Sequence, residues 1–305
     1  MSLAERVIHA PGPWKHRDVS ANGSRFHVVE IGQGPTVVLL HGFPTFWWTW
    51  RQQLTALADA GFRAVAIDLR GYGGSDHTPH GYDPITLAAD IAGVIRSMGA
   101  ESAVIVGLGW GGLIAWTMSV QHPEVVEAIV PVSMPHPKAL HANARKHGQW
   151  RRWMYAVGFQ LPFFPERSLS RRDGTRVEHL LRSWSADDSW VDGQGEIYRA
   201  AFSRWPTPHT SIESHRWALR SIPRADGRRF FTLMDQPTTC PVLHIQGSSD
   251  PMCLASSLEG SQQHCTDGYQ RHDLPTGHFP HEESPAEFNR VLIDWLNTLR
   301  QAETP

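Results

Sequence analysis

Two loops near the end of the sequence carry residue types that can perform hydrolysis together. Residues 247–251 (GSSDP) follow an apolar run and hold a carboxylate, Asp250. Residues 276–285 (TGHFPHEESP) hold His278 just before the last amphipathic segment. A carboxylate next to a histidine fixes its tautomer and stabilises its protonated form, so this pair predicts a general base. Each loop alone is a weak signal, because an aspartate in a turn and a single loop histidine also have ordinary structural uses.

A third stretch, residues 104–112 (VIVGLGWGG), is typical of the turn G-x-Nu-x-G, in which a buried strand leads sharply into a helix. The flanking glycines let the helix cross close behind the strand, and the central residue presents its side chain. Here the central residue is Gly109, which has no side chain. The pattern therefore predicts a nucleophile elbow without its nucleophile.

A fourth stretch, residues 41–44 (HGFP), follows another apolar run. A glycine and a proline here predict a tight turn that directs the backbone N–H of Phe43 outward. With the backbone N–H of Trp110, it would form an oxyanion hole, a pair of donors that stabilises developing negative charge.

These loops must be positioned by an alternation of strands and helices. The predicted strands are 16–20, 25–31, 36–41, 63–68, 103–107, 126–133, 241–246 and 269–274, and the predicted helices are 47–59, 84–98, 110–121 and 285–301. Such an order is typical of right-handed βαβ crossovers. It predicts an α/β fold with a mostly parallel central sheet, whose strand ends bring the loops together.

The alternation stops at residue 135, and no strand pattern returns before residue 236. The sequence therefore predicts a core formed by residues 1–135 and 236–305, with residues 136–235 inserted as a helical cap. Basic residues outnumber acidic ones in the insertion, and its first part contains Arg145, Lys146, Arg151, Arg152, Arg167, Arg171, Arg172 and Arg176. Two interpretations stay open: a solvated helical surface, or attraction to an anionic substrate or a membrane surface.

Composition narrows the class of protein. The chain has 305 residues, 41% of them hydrophobic, and a net charge of −2, and no motif or charge excess points to nucleic acid. The three cysteines suit structural thiols, and the 18 histidines form no recognised metal motif, so we expect no metal and no cofactor. The first residues lack a targeting signal, which favours the cytoplasm. A monomer or a homodimer is expected.

The stretches quoted above, together with residues 68–76 (DLRGYGGSD), resemble α/β hydrolases, and among them the branch of epoxide hydrolases and haloalkane dehalogenases. The resemblance implies an α/β-hydrolase fold with a helical cap. In that branch the elbow usually reads G-x-D-W-G-G, and its aspartate attacks carbon to form an ester that histidine-activated water hydrolyses. This chain has Gly109 in place of the aspartate.

The resemblance also implies two cap tyrosines that protonate the opening epoxide oxygen. Tyr155 has a suitable spacing from the elbow for the first. At the second position a tyrosine followed by arginine is usual, and residues 212–216 (IESHR) offer His215 there. Tyr198 is the remaining cap tyrosine and matches that pattern less well.

Loss of the nucleophile typically costs a covalent hydrolase about a millionfold in turnover. Three interpretations stay open. The Asp250–His278 pair activates a water molecule beside Gly109 for attack on a small apolar substrate. Alternatively, the protein is a catalytically inactive pseudoenzyme that binds a small apolar ligand. In the third interpretation, Gly109 is an engineered replacement for a reactive residue.

Overall fold

One eight-stranded sheet forms the centre of the molecule in the computed structural model, which describes residues 2–145 and 148–302. Its strands are β1 (Lys15–Ala21), β2 (Ser24–Ile31), β3 (Thr36–Leu40), β4 (Arg63–Ile67), β5 (Ala103–Leu108), β6 (Val126–Val132), β7 (Val242–Gly247) and β8 (Tyr269–Leu274). Their spatial order is β1-β2-β4-β3-β5-β6-β7-β8. The pairs β1–β2 and β2–β4 are antiparallel, and all other pairs are parallel. The predicted α/β class and mostly parallel sheet are confirmed.

The helices flank this sheet or follow β6. They are α1 (Leu3–Ile8), α2 (Arg51–Asp59), α3 (Pro84–Ser97), α4 (Trp110–Gln121), α5 (Pro137–Asn143), α6 (Gln149–Arg152), α7 (Met154–Gly158), α8 (Phe164–Ser170), α9 (Thr175–Trp184), α10 (Gly195–Ser203), α11 (Thr207–Thr210), α12 (Glu213–Arg220), α13 (Ala225–Leu233), α14 (Pro280–Glu283) and α15 (Pro285–Ala302). Within the described part of the chain, no helix combines the length and the apolar character needed to cross a bilayer.

The apolar runs of the sequence become the centre of the sheet. Every residue of β3 and β5 is buried, as expected for parallel strands covered by helices on both faces. The β1–β2 hairpin turns at Asn22 and Gly23, which both have positive φ, as the Asn-Gly signal predicts.

Residues 47–59 are helical as predicted, but the helix changes type within this range. The first turn, Trp47–Trp50, is a 3₁₀-helix, and α2 begins only at Arg51. The Asp68 carboxylate accepts the Trp47 backbone N–H at 2.9 Å. The side chains of Trp47 and Trp50 are completely buried, so tertiary packing governs this turn.

Helices α5 to α13 lie between β6 and β7, and the described residues of 136–235 contain no strand. We refer to this insertion as the cap. Lys146, one of its basic residues, lies outside the described residues. The cap places aromatic side chains above the carboxyl ends of the central strands, where the predicted loops meet.

Candidate active site

The predicted acid and base meet at the ends of two neighbouring parallel strands. Asp250 follows β7 by three residues, and His278 follows β8 by four. The His278 ring donates through Nδ1–H to Oδ2 of Asp250 at 2.9 Å. The Asp250 side chain is fully buried and that of His278 nearly so. The carboxylate can only accept, so this contact fixes the proton on Nδ1 and leaves Nε2 of neutral His278 as an acceptor.

The other hydrogen bonds of Asp250 keep its carboxylate in place. Oδ1 accepts the backbone N–H groups of Met252 at 2.7 Å and of Cys253 at 2.9 Å. The Gln246 side-chain amide approaches Oδ2 at 3.4 Å. Hydrogen bonds to an ionised carboxylate favour its charged form. Asp250 is therefore suited to stabilise an imidazolium on His278.

Gly109 forms the sharp turn between β5 and α4, with φ 50° and ψ −110°. This conformation is easy for glycine and strained for other residues. A β-carbon at this position would lie 3.3 Å from Nε2 of His278. The helix crosses so closely behind the turn that a β-carbon on Gly111 would lie 2.2 Å from the Leu40 carbonyl oxygen. The acceptor nitrogen of the base therefore faces the Gly109 turn.

The two predicted oxyanion-hole donors border the same space. Phe43 and Trp110 both line the cavity beside Gly109. Among the described residues, neither backbone N–H has a hydrogen-bond partner. The Trp110 N–H also belongs to the first turn of α4, where helices leave their N–H groups unpaired. Both donors are available to a ligand at this site.

The cavity above the turn is small, with a volume of about 60 Å³, and half of its lining residues carry aromatic rings. It is lined by Phe43, Gly109, Trp110, Ser133, Met134, Pro135, Leu140, Trp153, Tyr155, Trp184, His215, Met252, Cys253 and His278. A volume of this size accommodates a few water molecules or a compound of few heavy atoms. Drug-sized ligands occupy cavities several times larger.

Tyr155, from α7, lies in the cavity wall as a potential proton donor. Burial raises the pKa of its hydroxyl, which therefore stays protonated at neutral pH. Among the described residues, this hydroxyl makes no hydrogen bond. The ring packs on Phe159, Trp184 and His215. The Tyr155 hydroxyl can therefore donate to a bound substrate.

His215, from α12, lies in the same wall but has different chemistry. Its Nε2 accepts the Trp110 indole N–H at 3.0 Å. Burial lowers the pKa of His215 to about 3, and the nearby Ser211 carbonyl only partly opposes this effect. The ring is therefore neutral at pH 7, with its proton on Nδ1. His215 holds the Trp110 side chain and does not provide an acid.

Tyr198 lies away from this cavity. It is fully buried, and its hydroxyl donates to Oε1 of Glu282 at 2.6 Å. Its ring packs edge-on against Phe46 and Trp190. The structure thus brings together every predicted site residue except Tyr198, whose hydroxyl is already engaged in the core.

Ser133 is a site residue that the sequence predictions missed. It follows β6 directly, has a φ of 52°, and is completely buried. The residue lines the cavity, and its buried hydroxyl has no hydrogen-bond partner among the described residues. A non-glycine residue with positive φ and an unpaired buried hydroxyl is unusual in a core and frequent at functional sites. Its position at the carboxyl end of a central strand is the signal that could have identified it.

Glu283 is the second missed residue, and it connects the histidine loop to the cap. Its Oε2 accepts the backbone N–H groups of Gly277, Ala186 and Asp187 at 2.9, 2.8 and 3.1 Å, and its Oε1 accepts that of Phe279 at 3.2 Å. The N–H groups on both sides of His278 are therefore bound to one carboxylate.

The histidine loop also contacts the end of α9 directly. The His278 backbone N–H donates to the Trp184 carbonyl at 2.8 Å. A β-carbon on Gly277 would lie 2.5 Å from that carbonyl oxygen, so the contact requires glycine there. The cap thus contributes directly to the orientation of His278.

Metal ligation finds no support in the side chains that the structure describes. Over residues 2–145 and 148–302, no three His, Cys, Asp or Glu side chains form a group that could hold a metal ion. His281, three residues after His278, lies in the core with Nε2 2.7 Å from the Thr49 hydroxyl. Burial raises the pKa of the Cys253 thiol in the cavity wall, which disfavours a reactive thiolate.

Comparison with known proteins agrees with this geometry. The profile of the alpha/beta hydrolase fold family matches residues 35–285. The chain is 46% identical to epoxide hydrolase B of Mycobacterium tuberculosis (strain H37Rv), with 93% of this chain and 99% of the relative covered. It is 38% identical to human epoxide hydrolase 4, with 91% and 77% covered.

Solved structures give the same family. An epoxide hydrolase from an endophytic Streptomyces superposes with a TM-score of 0.83 at 28% identity, covering 95% of this chain and 97% of that one. Epoxide hydrolase A from Mycobacterium thermoresistibile superposes with a TM-score of 0.78, also at 28% identity, covering 93% and 98%. The chain therefore belongs to the alpha/beta hydrolase fold family, as an epoxide-hydrolase-like member.

Proposed function

We propose that this protein hydrolyses a small apolar epoxide with a water molecule that His278 activates, without a covalent ester on the enzyme. The observation that carries the proposal is the approach of His278 Nε2 to the Gly109 turn. In the proposal, Gly109 occupies the position at which related hydrolases carry their nucleophile. The base is retained and directed at this position, and the turn provides no side chain to attack the substrate.

The proposed step is a direct displacement by water. The water proton passes to Nε2 of His278 while its oxygen attacks an epoxide carbon and the carbon–oxygen bond breaks. The departing oxygen takes the proton of the Tyr155 hydroxyl, so epoxide and water become a diol. The His278 imidazolium then returns its proton, through solvent, to the Tyr155 phenolate. Asp250 stabilises the imidazolium during the step.

Three polar groups around Gly109 support a bound water in this proposal. The backbone N–H of Phe43 or of Trp110 can donate to one lone pair of its oxygen, which leaves the other lone pair for the attack, and the Ser133 hydroxyl can accept the O–H that does not face His278. The cavity of about 60 Å³ is large enough for a water and a small epoxide but not for a bulky one. This supports a substrate with few heavy atoms.

The proposed turnover is slow. A positioned general base typically contributes about 10² to 10⁴ to a rate, whereas the loss of a covalent nucleophile costs about a millionfold. The enzyme should therefore turn over a small epoxide measurably but far below the rates of covalent hydrolases.

A single-turnover reaction in H₂¹⁸O, with the enzyme in excess over propylene oxide, tests the proposal. Direct attack places ¹⁸O in the diol of the first turnover, whereas attack by a protein carboxylate would deliver unlabelled oxygen first. His278→Ala should abolish turnover, and Gly109→Ala should lower it because the methyl group crowds the water. Equal rates for the wild type and His278→Ala would refute the proposal.

The same assays identify the alternative function. A protein that forms no diol above the uncatalysed background, yet gains thermal stability from a small apolar epoxide, would be an inactive ligand-binding member of the family.

Ser133→Ala distinguishes two possible roles of the serine hydroxyl. A positioning role predicts a moderate loss of turnover, about tenfold, whereas a hydroxyalkyl adduct on Ser133 in the mass spectrum would make it a nucleophile.

A further inference from the structure

A surface of the cap combines exposed aromatic rings with unpaired arginines. It consists of Phe163, Phe164, Trp205, Arg167, Arg171 and Arg176, and we call it the aromatic–arginine surface. The two phenylalanines are 82% and 75% exposed, and Trp205 is 69% exposed. Large apolar side chains that cluster with such exposure usually mark an interaction site.

The members of this surface are contiguous. Phe163 and Arg167 line two adjoining depressions, each of about 890 Å³. Trp205 lines the first of these, and Phe164 and the other two arginines line the second. The surface is therefore one continuous patch.

The backbone presents Phe163 to solvent at a conformational cost. Its φ is 63°, a left-handed conformation that bulky residues rarely adopt. Nothing buries the ring in return, since 82% of the residue is exposed. The following helix, α8, is fixed from below by Pro165 and Leu169, which are buried. The exposed phenylalanine rings are therefore held by a helix whose other side is buried.

The charge of this surface is positive. Arg167, Arg171 and Arg176 form no salt bridge with any residue in the described part of the chain. The carboxylates that line the first depression, Glu166 and Glu213, are both paired with the buried Arg216 at 2.7 Å. Arg216 therefore offsets one of their two negative charges, and the three exposed guanidinium groups leave the surface with a positive excess that can attract an anionic partner.

We propose that the cap docks through the aromatic–arginine surface onto a membrane that contains anionic phospholipids. Phenylalanine and tryptophan enter the boundary between headgroups and acyl chains, while arginines attract the negative lipid surface. We favour a membrane over nucleic acid or an acidic protein as the partner, because the two most exposed rings project into solvent and can insert between lipids. The proposal does not depend on hydrolysis, so binding can be tested without an activity assay.

The aromatic–arginine surface lies near the cavity beside Gly109. A third depression, of about 300 Å³, is lined by Phe164 and Arg176 and also by Phe159 and Tyr155. Tyr155 also lines the cavity beside Gly109. A docked cap would therefore place the bilayer near the wall that Tyr155 shares with the cavity.

The test is co-sedimentation of the 305-residue chain with vesicles of phosphatidylcholine, alone or with phosphatidylserine. We expect binding to the anionic vesicles only, and loss of that binding at high salt. Replacement of Arg167, Arg171 and Arg176 by glutamine should weaken the binding about a hundredfold, at roughly fivefold for each charge near the surface. Phe163→Ser/Phe164→Ser should weaken it at least tenfold.

Matched controls distinguish an effect of the aromatic–arginine surface from the general effect of removing a positive charge or an apolar side chain elsewhere. Leu3 is 44% exposed outside the cap, and the Arg17 side chain is 45% exposed in β1. Leu3→Ser and Arg17→Gln should leave vesicle binding unchanged, and all variants should retain the thermal stability of the wild type.

Three results would overturn the proposal: a wild-type protein that stays in the supernatant, vesicle binding that the phenylalanine variant retains, or equal binding to neutral vesicles. Light scattering provides a further check. An oligomer that Phe163→Ser/Phe164→Ser dissociates would assign this surface to a second copy of the chain instead.

Discussion

A β-carbon on Gly109 would lie 3.3 Å from Nε2 of His278. An aspartate at position 109 would therefore place its carboxylate next to the base, as a covalent hydrolase requires. We predict that Gly109→Asp forms an ester with a small epoxide and that His278 then hydrolyses it. In Gly109→Asp/His278→Ala the ester should accumulate, and intact-protein mass spectrometry should show an increase equal to the mass of the epoxide.

The control for this experiment is Gly109→Asn/His278→Ala, which has nearly the same shape but no carboxylate. It should show no adduct. The strained turn should reduce the stability of both variants by about 1–3 kcal/mol, so folding is checked first. If Gly109→Asp/His278→Ala is folded but shows no increase in mass after incubation with several epoxides, the proposed position of the nucleophile is contradicted.

His215→Tyr should provide the second hydroxyl that this wall lacks. His215 lies in the cavity wall beside Tyr155, and its low pKa of about 3 makes it a poor acid at pH 7. In the Gly109→Asp background, we predict that His215→Tyr raises the rate of ester formation by about tenfold or more, because proton donation to the leaving oxygen typically contributes 10² to 10⁴. Rapid-quench measurement of the adduct gives this rate.

The matching control is Gly109→Asp/His215→Phe. It lacks the imidazole that accepts the Trp110 indole N–H and gains no hydroxyl, so its rate should not rise. Equal rates for the tyrosine and phenylalanine variants would show that bulk, and not proton donation, governs the effect.

Glu283→Gln should destabilise the histidine loop. The Glu283 carboxylate accepts four backbone N–H groups, and an amide has only one oxygen to replace its two. We predict a loss of about 1–3 kcal/mol in the free energy of unfolding, measured by urea denaturation. The exposed Glu259, whose side chain makes no hydrogen bond among the described residues, is the control, and Glu259→Gln should change stability by less than about 0.5 kcal/mol. Equal effects of the two substitutions would contradict the role of Glu283.

The stability of the protein should decline as the pH falls below about 6.5. Burial lowers the pKa of His136, His215 and His244 to about 3 each. In the unfolded chain these groups titrate near pH 6.5, so between these values the unfolded state binds protons that the folded state does not. The stabilisation is complete above pH 6.5 and is lost as the pH falls towards 3, at a rate on the order of 1 kcal/mol per pH unit for each histidine.

Urea denaturation at pH 8, 6.5 and 5 measures this dependence. His244→Gln removes one titrating group from the core, so its stability should depend less steeply on pH between 6.5 and 5. A wild-type stability that stays constant from pH 8 to 5 would contradict the buried neutral state of these histidines.

The sequence allowed prediction of the features that are encoded locally. The apolar run of β5, the glycines behind it and the loops of Asp250 and His278 are each complete within about ten residues, so their patterns could be recognised. The β1–β2 turn followed from Asn22 and Gly23 for the same reason. These features were sufficient to predict the sheet and the meeting of acid, base and turn.

The features that were missed depend on contacts between distant parts of the chain. Glu283 contacts Ala186 and Asp187, which lie about a hundred residues earlier, and neither sequence segment indicates the other.

The choice between His215 and Tyr198 also needed the structure, because both lie on cap helices and only packing shows which one faces the cavity. The 3₁₀ turn at Trp47–Trp50 was missed because buried tryptophans override the local helical pattern.

The contact between the histidine loop and the cap has a consequence for chimaeras in which the cap is taken from a related protein. Trp184, Ala186 and Asp187 bind the loop through backbone atoms, so the identity of their side chains matters less than the path of the chain there. A chimaera that keeps this path should inherit a correctly aimed imidazole even if the remainder of the cap is foreign. A chimaera whose junction shifts the path by one residue would leave the imidazole misaligned above an otherwise intact sheet.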